Sequence, residues 1–598
     1  MASEREMGEL SRAPSICERM RLWEFPNQYV FEPLDGAPHQ TLAIDRTDGE
    51  LSSIGELPIS NNEQSMVNTI IFGLVGVIRL LAGSYVLVIT SKDYAGTYYG
   101  SPVFRISSMK FLSCNSSVKE LNAQQKRDEA HFTSLLKTVE RTPGLYFSYD
   151  MDLTLSTQRS YDLLKVRKLR PLWKQADPTY FWNKHLLEEL IENKLDAYIL
   201  PVVQGSFQSI GESIKGKPIT LTLISRRCTR RIGTRMWRRG ADREGYAANF
   251  VETEQILEES GFVASYVQVR GSIPLAWEQI VDLTYKPKIK IHHVDELTKI
   301  VERHFRDLSQ RYGSILVLDL INQHGSEGEL SVAYGNAMQS LSNDHIRYVP
   351  FDFHRICGNI HFERLSFLYD QIAEDLRLQG FFLMNSLGER VAEQRGVVRT
   401  NCIDCLDRTN VTQSLLGRKC LETQLQQLGV FESSETIAQN SSFDEKFKNL
   451  WANNGDEISI QYSGTPALKS DFVRYGTRTT LGLVRDGFNA LSRYFLNNFY
   501  DGIRQDAMDL VAGHYSVSRN KPSPFPVNGF ETLSYLPVAS ATIVAGLTLT
   551  KFTLSQAGQD LYHFFYSVIG AGITAGVVAL VKRNGRQFCN RPCLCGLF

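Results

Sequence analysis

Cys402 and Arg408 bracket five residues in the run RGVVRTNCIDCLDRTN, positions 395–410. A thiol and a guanidinium at that spacing suit a loop that wraps a phosphate, with the sulfur facing phosphorus and the guanidinium forked onto two oxygens. An ordinary thiol, pKa about 8.5, is scarcely ionised at neutral pH, but a helix start and a nearby arginine can lower it to roughly 3.5–7.5. Cys402 is then a candidate nucleophile that needs no histidine, metal or cofactor. A leaving alkoxide needs a proton, for which Asp407 is the favoured donor and Asp404 the alternative. Arginine lowers a neighbouring carboxyl pKa and a dianionic substrate raises it, so composition alone leaves that balance open. Ile403, Asp404, Cys405, Leu406, Thr409 and Asn410 complete the candidate substrate cradle. The pair Cys402-x-x-Cys405 also fits redox or zinc chemistry, but a structural zinc needs four ligands and the body holds no second closely spaced pair.

The elements around this loop must hold it in shape. Residues 396–400 read as a short strand, and Val411, Leu415, Leu421, Leu425 and Leu428 follow approximate helical spacing until Gly429. A strand–loop–helix unit cradles anions, because unpaired N–H groups and the macrodipole at the helix start point into the loop. The apolar run 315–321 predicts a buried strand and 367–378 a helix, so an α/β region is expected. Residues 70–89 are apolar but carry Arg79 and a Gly83-Ser84 turn signal, which predicts buried strands in a hairpin.

The C-terminal region is of another kind. Residues 533–550 and 561–581 are rich in Ala, Gly, Val and Ile, and His563 is the titratable residue inside them. Each has about the length of a membrane span. The connector 551–560 has one charge of each sign, whereas Lys582, Arg583, Arg586 and Arg591 follow the second run, so the tail is expected on the cytosolic side. The proline-rich segment 521–526 reads as a semi-extended linker holding the globular part near the bilayer.

Lys plus Arg and Asp plus Glu both number 65 among 598 residues, so no global field recruits nucleic acid, and anion binding must be local. Ten cysteines are too few for a disulfide scaffold. The first thirty residues alternate charges without an apolar core, against a cleaved signal peptide. Between 226 and 243, Arg226, Arg227, Arg230, Arg231, Arg235, Arg238, Arg239 and Arg243 face one acid, Asp242. That cluster suits an anionic headgroup or bilayer surface, with a solvated, ion-paired face as the alternative. His354 could line the site or be a satisfied core histidine; Glu252 and Glu254 could brace loop arginines. Cys589, Cys593 and Cys595, just past the second run, are in a setting where S-acylation is plausible.

The string RTNCIDCLDRTN resembles the signature of the Sac-domain phosphoinositide phosphatases. Similar to that family too are residues 240–255, 268–274, 320–323, 351–354 and 464–469, so the likeness covers roughly 60–515. The resemblance implies a mixed α/β (α+β) fold: an N-terminal extension at 1–59, a β-rich subdomain at 60–185 and a cysteine-phosphatase subdomain at 186–515. A linker at 516–532, two transmembrane helices with a short lumenal connector at 533–581 and a basic tail at 582–598 would follow. It implies a metal-independent cysteinyl-phosphate mechanism on a phosphoinositide lipid. The two C-terminal runs are similar to those of the membrane-anchored subgroup of the endoplasmic reticulum and Golgi, which acts chiefly on phosphatidylinositol 4-phosphate. Two other readings stay open: an inactive phosphoinositide-binding tether, against which the intact Cys402 and Asp407 count, and a protein-tyrosine phosphatase, which would not need the two runs.

Overall fold

Alternating apolar residues near the N-terminus build an antiparallel sheet of β1 (Met20–Glu24), β2 (Gln28–Pro33), β3 (Thr41–Asp45), β4 (Leu51–Ile54) and β5 (Val67–Ile71), in the order β4-β3-β2-β1-β5. The computed structural model describes residues 15–35, 40–54, 67–114, 120–163, 170–292, 297–358, 361–477, 479–525, 531–556 and 561–596. The segment expected as an extension thus carries four of these strands; the boundary at 59/60 lies outside the described residues.

A second, larger sheet unites the β-rich and catalytic parts. Its antiparallel portion holds β6 (Leu74–Arg79), β7 (Ser84–Tyr98), β8 (Ser101–Cys114), β9 (Leu145–Phe147), β10 (Val203–Ile214), β11 (Lys217–Arg227), β12 (Val251–Glu259) and β13 (Phe262–Arg270). The hairpin expected within 70–89 is the β6–β7 pair, with Arg79 turned outward onto Glu189. A separate ribbon pairs β14 (Trp277–Gln279) with β15 (Ile289–Ile291). The large sheet then turns parallel through β16 (Ser314–Asp319), β17 (Ile346–Pro350) and β20 (Gly396–Asn401), while β18 (Phe382–Met384) pairs with β13 and carries β19 (Arg390–Ala392) on its other side. Strand order from the parallel edge is β17-β16-β20-β13-β12-β11-β10-β9-β8-β7-β6.

The longer helices are α1 (Ala123–Val139), α2 (Leu297–Tyr312), α3 (Gly328–Gln339), α4 (Leu365–Gln379), α5 (Asp407–Gln427), α6 (Ser441–Ser463), α7 (Thr480–Phe499), α8 (Asp501–Val511), α9 (Glu531–Gln556) and α10 (Leu561–Arg583). Burial on both faces explains why β16 is apolar from Ile315 to Leu318. Ile315, Val317 and Val397 share a core with Val301 and Phe305 of α2 and Leu330 of α3. Leu316, Leu318 and Val398 share another with Leu368 of α4 and Leu416 of α5.

The arginine-rich segment 226–243 departs most from expectation. Arg226, Arg227, Arg231, Arg238 and Arg239 are buried, not spread on a surface. Arg226 donates to Glu252 at 3.0 Å and Glu254 at 2.8 Å; Arg238 Nη2 forks onto both oxygens of Asp509 at 2.9 and 2.8 Å; Arg230 pairs with Asp307. Burying a guanidinium is costly unless it is paired or hydrogen-bonded; Arg227 donates to the Gln204 side chain and to the Gln461 and Gly233 carbonyls. The acidic partners come from distant segments, which is why a local charge count leaves them out. Arg243 stays exposed. Glu252 and Glu254 therefore brace Arg226 and do not reach the 402–408 loop.

At the C-terminus α9 and α10 run antiparallel. Gly546 lies against Thr574 and Gly570 against Thr550, and Ser567 Oγ donates to Thr553 Oγ1 at 2.7 Å, the small-residue contacts that let helices approach closely in lipid. Among the described residues one helix, Tyr562–Arg583, is long and apolar enough to cross a membrane. Residues 557–560 of the expected connector lie outside the described residues. The linker docks on α1: Ser523 Oγ donates to Asp128 at 2.8 Å and Phe525 packs 5.1 Å from Phe132, centroid to centroid, while Pro526 lies outside the described residues.

Candidate active site

The loop 402–406 leaves the carboxyl end of β20, beside the ends of its parallel neighbours β16 and β13, the crevice position where open α/β sheets take ligands. α5 begins at Asp407, earlier than Val411, where its apolar spacing starts. A polar chain anchors the strand end. Buried Arg399 donates to Asn401 Oδ1 at 2.8 Å, to the Ser272 carbonyl at 2.5 Å and to His304 Nε2 at 3.4 Å. Asn401 Nδ2 passes to Asp319 Oδ1 at 2.5 Å, whose other oxygen accepts from Tyr348 at 2.8 Å. Burial and the Arg399 charge pull His304 down to about 3, so it is neutral, its Nδ1 facing the Gly245 carbonyl at 2.9 Å.

The loop turns sharply at Cys405, whose φ of 54° brings its N–H to 3.0 Å from Cys402 Sγ. Thr409 Oγ1 lies 3.5 Å from the same sulfur, and the Cys405 thiol meets the Gly271 carbonyl at 2.9 Å. Burial alone would raise the Cys402 pKa; hydrogen bonding from Cys405, the Arg408 charge and the Thr409 hydroxyl overcome it and pull the thiol down to about 5. Cys405, lacking such help, is pushed far up by burial and by Cys402.

The two acids diverge. Asp404 pairs with Arg235 at 2.8 Å and Arg239 at 2.7 Å, and against the cost of burial these two cations hold it well below the usual carboxylate range. Asp407 accepts the Leu468 N–H at 2.8 Å; burial, opposed by Arg493 and that N–H, and the nearby Cys402 and Asp404 charges push it up to about 6.

A cavity of about 440 Å³ opens over the loop. Ile403, Asp404, Asp407, Arg408 and Asn410 line it, with Lys286, Lys288, Asn322, Glu327, His354 and Lys469 contributed from elsewhere. Cys405, Leu406 and Thr409 lie beneath this lining, Leu406 among Val251, Ile458 and Tyr462. His354 is exposed on the wall, so it is not a core histidine. The fully buried histidine at this site is His304. Glu327 and Arg493 carry no local signal in the sequence, and Arg235 and Arg239 serve Asp404, not a bilayer.

A buried, acidified thiol under a cleft at the ends of parallel strands, with an arginine on the wall, has the chemistry suited to a phosphate monoester. The SacI homology domain family matches residues 72–358. The chain is 53% identical over 578 residues to phosphoinositide phosphatase SAC6 of Arabidopsis thaliana, covering 96% of this chain and 98% of the relative. It is 38% identical over 585 residues to phosphatidylinositol-3-phosphatase SAC1-A of Danio rerio, covering 96% and 98%, and 35% over 549 residues to phosphatidylinositol-3-phosphatase SAC1 of Saccharomyces cerevisiae, covering 87% and 85%. The chain belongs to the Sac-domain phosphoinositide phosphatases.

Proposed function

We propose that this phosphatase hydrolyses the ring phosphomonoester of membrane phosphoinositides, chiefly phosphatidylinositol 4-phosphate, through a cysteinyl-phosphate on Cys402. The Cys402 thiolate attacks phosphorus, an S–P bond forms as the P–O bond to the inositol ring breaks, and Asp407 gives its proton to the departing ring oxygen. Asp407 then takes a proton from water, which attacks the thiophosphate and releases phosphate with the sulfur restored. Arg408 and the loop N–H groups stabilise the equatorial oxygens. The observation that carries this reading is the Cys402 sulfur, met by the Cys405 N–H at 3.0 Å and the Thr409 hydroxyl at 3.5 Å and pulled down to about 5 by these bonds and the Arg408 charge. Asp407 near 6 can still hold a proton, whereas Asp404, locked between two arginines, cannot.

The preference for the 4-phosphate rests on the likeness to the membrane-anchored subgroup; the zebrafish and yeast relatives are named as 3-phosphatases. We further propose that α9 and α10 both span a membrane of the endoplasmic reticulum or Golgi, with body and tail on the cytosolic side. Supporting it is the return of the chain: seven residues beyond α10, Asn590 N–H donates to the Asn498 carbonyl of α7 at 2.7 Å. Phosphate release in EDTA from vesicles carrying either the 3- or the 4-monophosphate, and from a phosphotyrosine peptide, tests the whole. Wild type should favour the 4-phosphate vesicles and Cys402→Ser should be inert; peptide preference, or lipid binding without turnover, would overturn it.

A further inference from the structure

Helix α7 is built inside out. Its inward residues are polar, Asn489, Arg493 and Asn498 being 8%, 4% and 2% exposed, whereas Leu481, Val484, Phe488, Leu491 and Phe495 are 78%, 68%, 70%, 67% and 60% exposed. These five recur every three or four residues and so form one stripe along the helix. Isolated apolar side chains on a surface are ordinary, but a contiguous row of this size marks an interaction face. Two of the inward residues are bonded in place: Arg493 donates to Thr465 Oγ1 at 2.9 Å and to the Pro466 carbonyl at 2.9 Å, and Asn498 Nδ2 to the Tyr494 carbonyl at 2.8 Å, while Asn489 Nδ2 is buried without a partner among the described residues. The exposed stripe is thus not the result of a helix rotated away from its core.

Both ends of α7 are tied to places that matter for a lipid enzyme. Near its N-terminal end Asp486 accepts the N–H of Lys469, a residue of the catalytic cavity wall, at 2.8 Å. At its C-terminal end Tyr494 donates to the Leu283 carbonyl at 2.8 Å, Cys589 Sγ meets Asn498 Oδ1 at 3.4 Å, and Gly585, two residues past α10, lies against Asp282. The twenty-residue helix, about 30 Å long, therefore runs from the rim of the active site to the root of the apolar C-terminal helix. Tyr285 stacks on Tyr494 at 6.5 Å, and the exposed Lys286 and Lys288 that follow it line the cavity. Tyrosine and lysine beside an apolar stripe are the side chains that settle at the headgroup layer.

We propose that the exposed face of α7 lies in the headgroup–acyl boundary of the acidic bilayer that α10 enters, and so holds the catalytic cavity at the lipid surface. The inference rests on the reading of the chain as a membrane-anchored lipid phosphatase. The heptad-like spacing of the stripe would also suit a seam between two copies of the chain, which the test must separate.

The full chain is reconstituted into vesicles of phosphatidylcholine and phosphatidylserine carrying phosphatidylinositol 4-phosphate. The added indole of Phe488→Trp is expected to be quenched by lipids brominated near the top of the acyl chain. Phe488→Asp with Leu491→Asp is expected to lower turnover of the vesicle lipid roughly tenfold while leaving a water-soluble short-chain analogue of the same headgroup unaffected, the latter also showing that the variant folds. Absence of the added quenching overturns the proposal, as does a change of stoichiometry in the aspartate variant with unchanged vesicle turnover, which would assign the face to a second copy. Wild type that hydrolyses neither lipid form would sink the assigned function, and the indole would still decide where α7 lies.

Discussion

Arg408 is forked onto Glu327: Nη1 lies 3.1 Å from Oε2 and Nη2 3.1 Å from Oε1, with the Leu320 carbonyl and Asn322 Oδ1 each 3.1 Å from Nη1. The guanidinium lends its charge to the Cys402 thiolate while its donors are engaged by another carboxylate. An arriving phosphate dianion competes with Glu327 for the same fork. Glu327→Gln keeps the shape and removes the competing charge, so inorganic phosphate and vanadate should inhibit roughly tenfold more tightly. Weaker inhibition would mean instead that Glu327 holds Arg408 in its working pose.

The two shifted groups set the pH profile. The proposed mechanism needs Cys402 deprotonated and Asp407 protonated, so kcat/KM should rise as pH passes about 5 and fall as it passes about 6, giving a narrow acidic maximum for the free enzyme. Bound dianion raises the Asp407 pKa, so the falling limb of kcat should lie at higher pH than that of kcat/KM. Asp407→Asn should cost about 10²–10⁴ in kcat and abolish the falling limb; a limb that survives in the variant would assign the proton to another group.

Much of this site was legible because it is local. The loop, strand β20 and helix α5 sit within one run of sequence, and the apolar stretch 315–321 marked the adjacent strand. What pairs at long range was not. Arg226 reads as a free cation until β11 and β12 are aligned, when Glu252 and Glu254 fall beside it. Glu327 reaches Arg408 only because β16 and β20 are neighbours in the sheet. α7 shows helical periodicity, but periodicity cannot say that the polar face is the buried one, which follows from its contacts with residues 459–466.

Pairing of buried charge makes Asp404 a structural risk. Asp404→Asn leaves Arg239, whose side chain is 2% exposed, facing a neutral amide, which should cost about 3–5 kcal/mol less a discount for the partial exposure of Asp404. The depressed carboxyl pKa means that this stability is present at neutral pH and lost as pH falls below the unfolded value of about 3.9. Thermal unfolding of wild type and variant should therefore differ most near neutrality and converge in acid. A constant gap at all pH values would show that packing, not charge, carries the effect.

The tail beyond α10 folds back onto the body, and one carboxylate fastens its last turn. Asp506 of α8 accepts the N–H groups of Cys593 and Leu594, all at 2.9 Å, and Leu594 is buried in a core that includes Leu510. Cys589 is likewise enclosed by Met236, Trp237 and Val281, so this thiol is not presented for acylation while the tail is docked. Charge-assisted bonds of this kind contribute about 1.5–3 kcal/mol each, so removing the acceptor should raise the population of the undocked tail by tenfold or more. Asp506→Ala should accordingly speed trypsin cleavage after Arg586 and iodoacetamide labelling of Cys593 and Cys595. Equal rates in wild type and variant would mean that the apolar contacts of Phe588 and Leu594 hold the tail without Asp506.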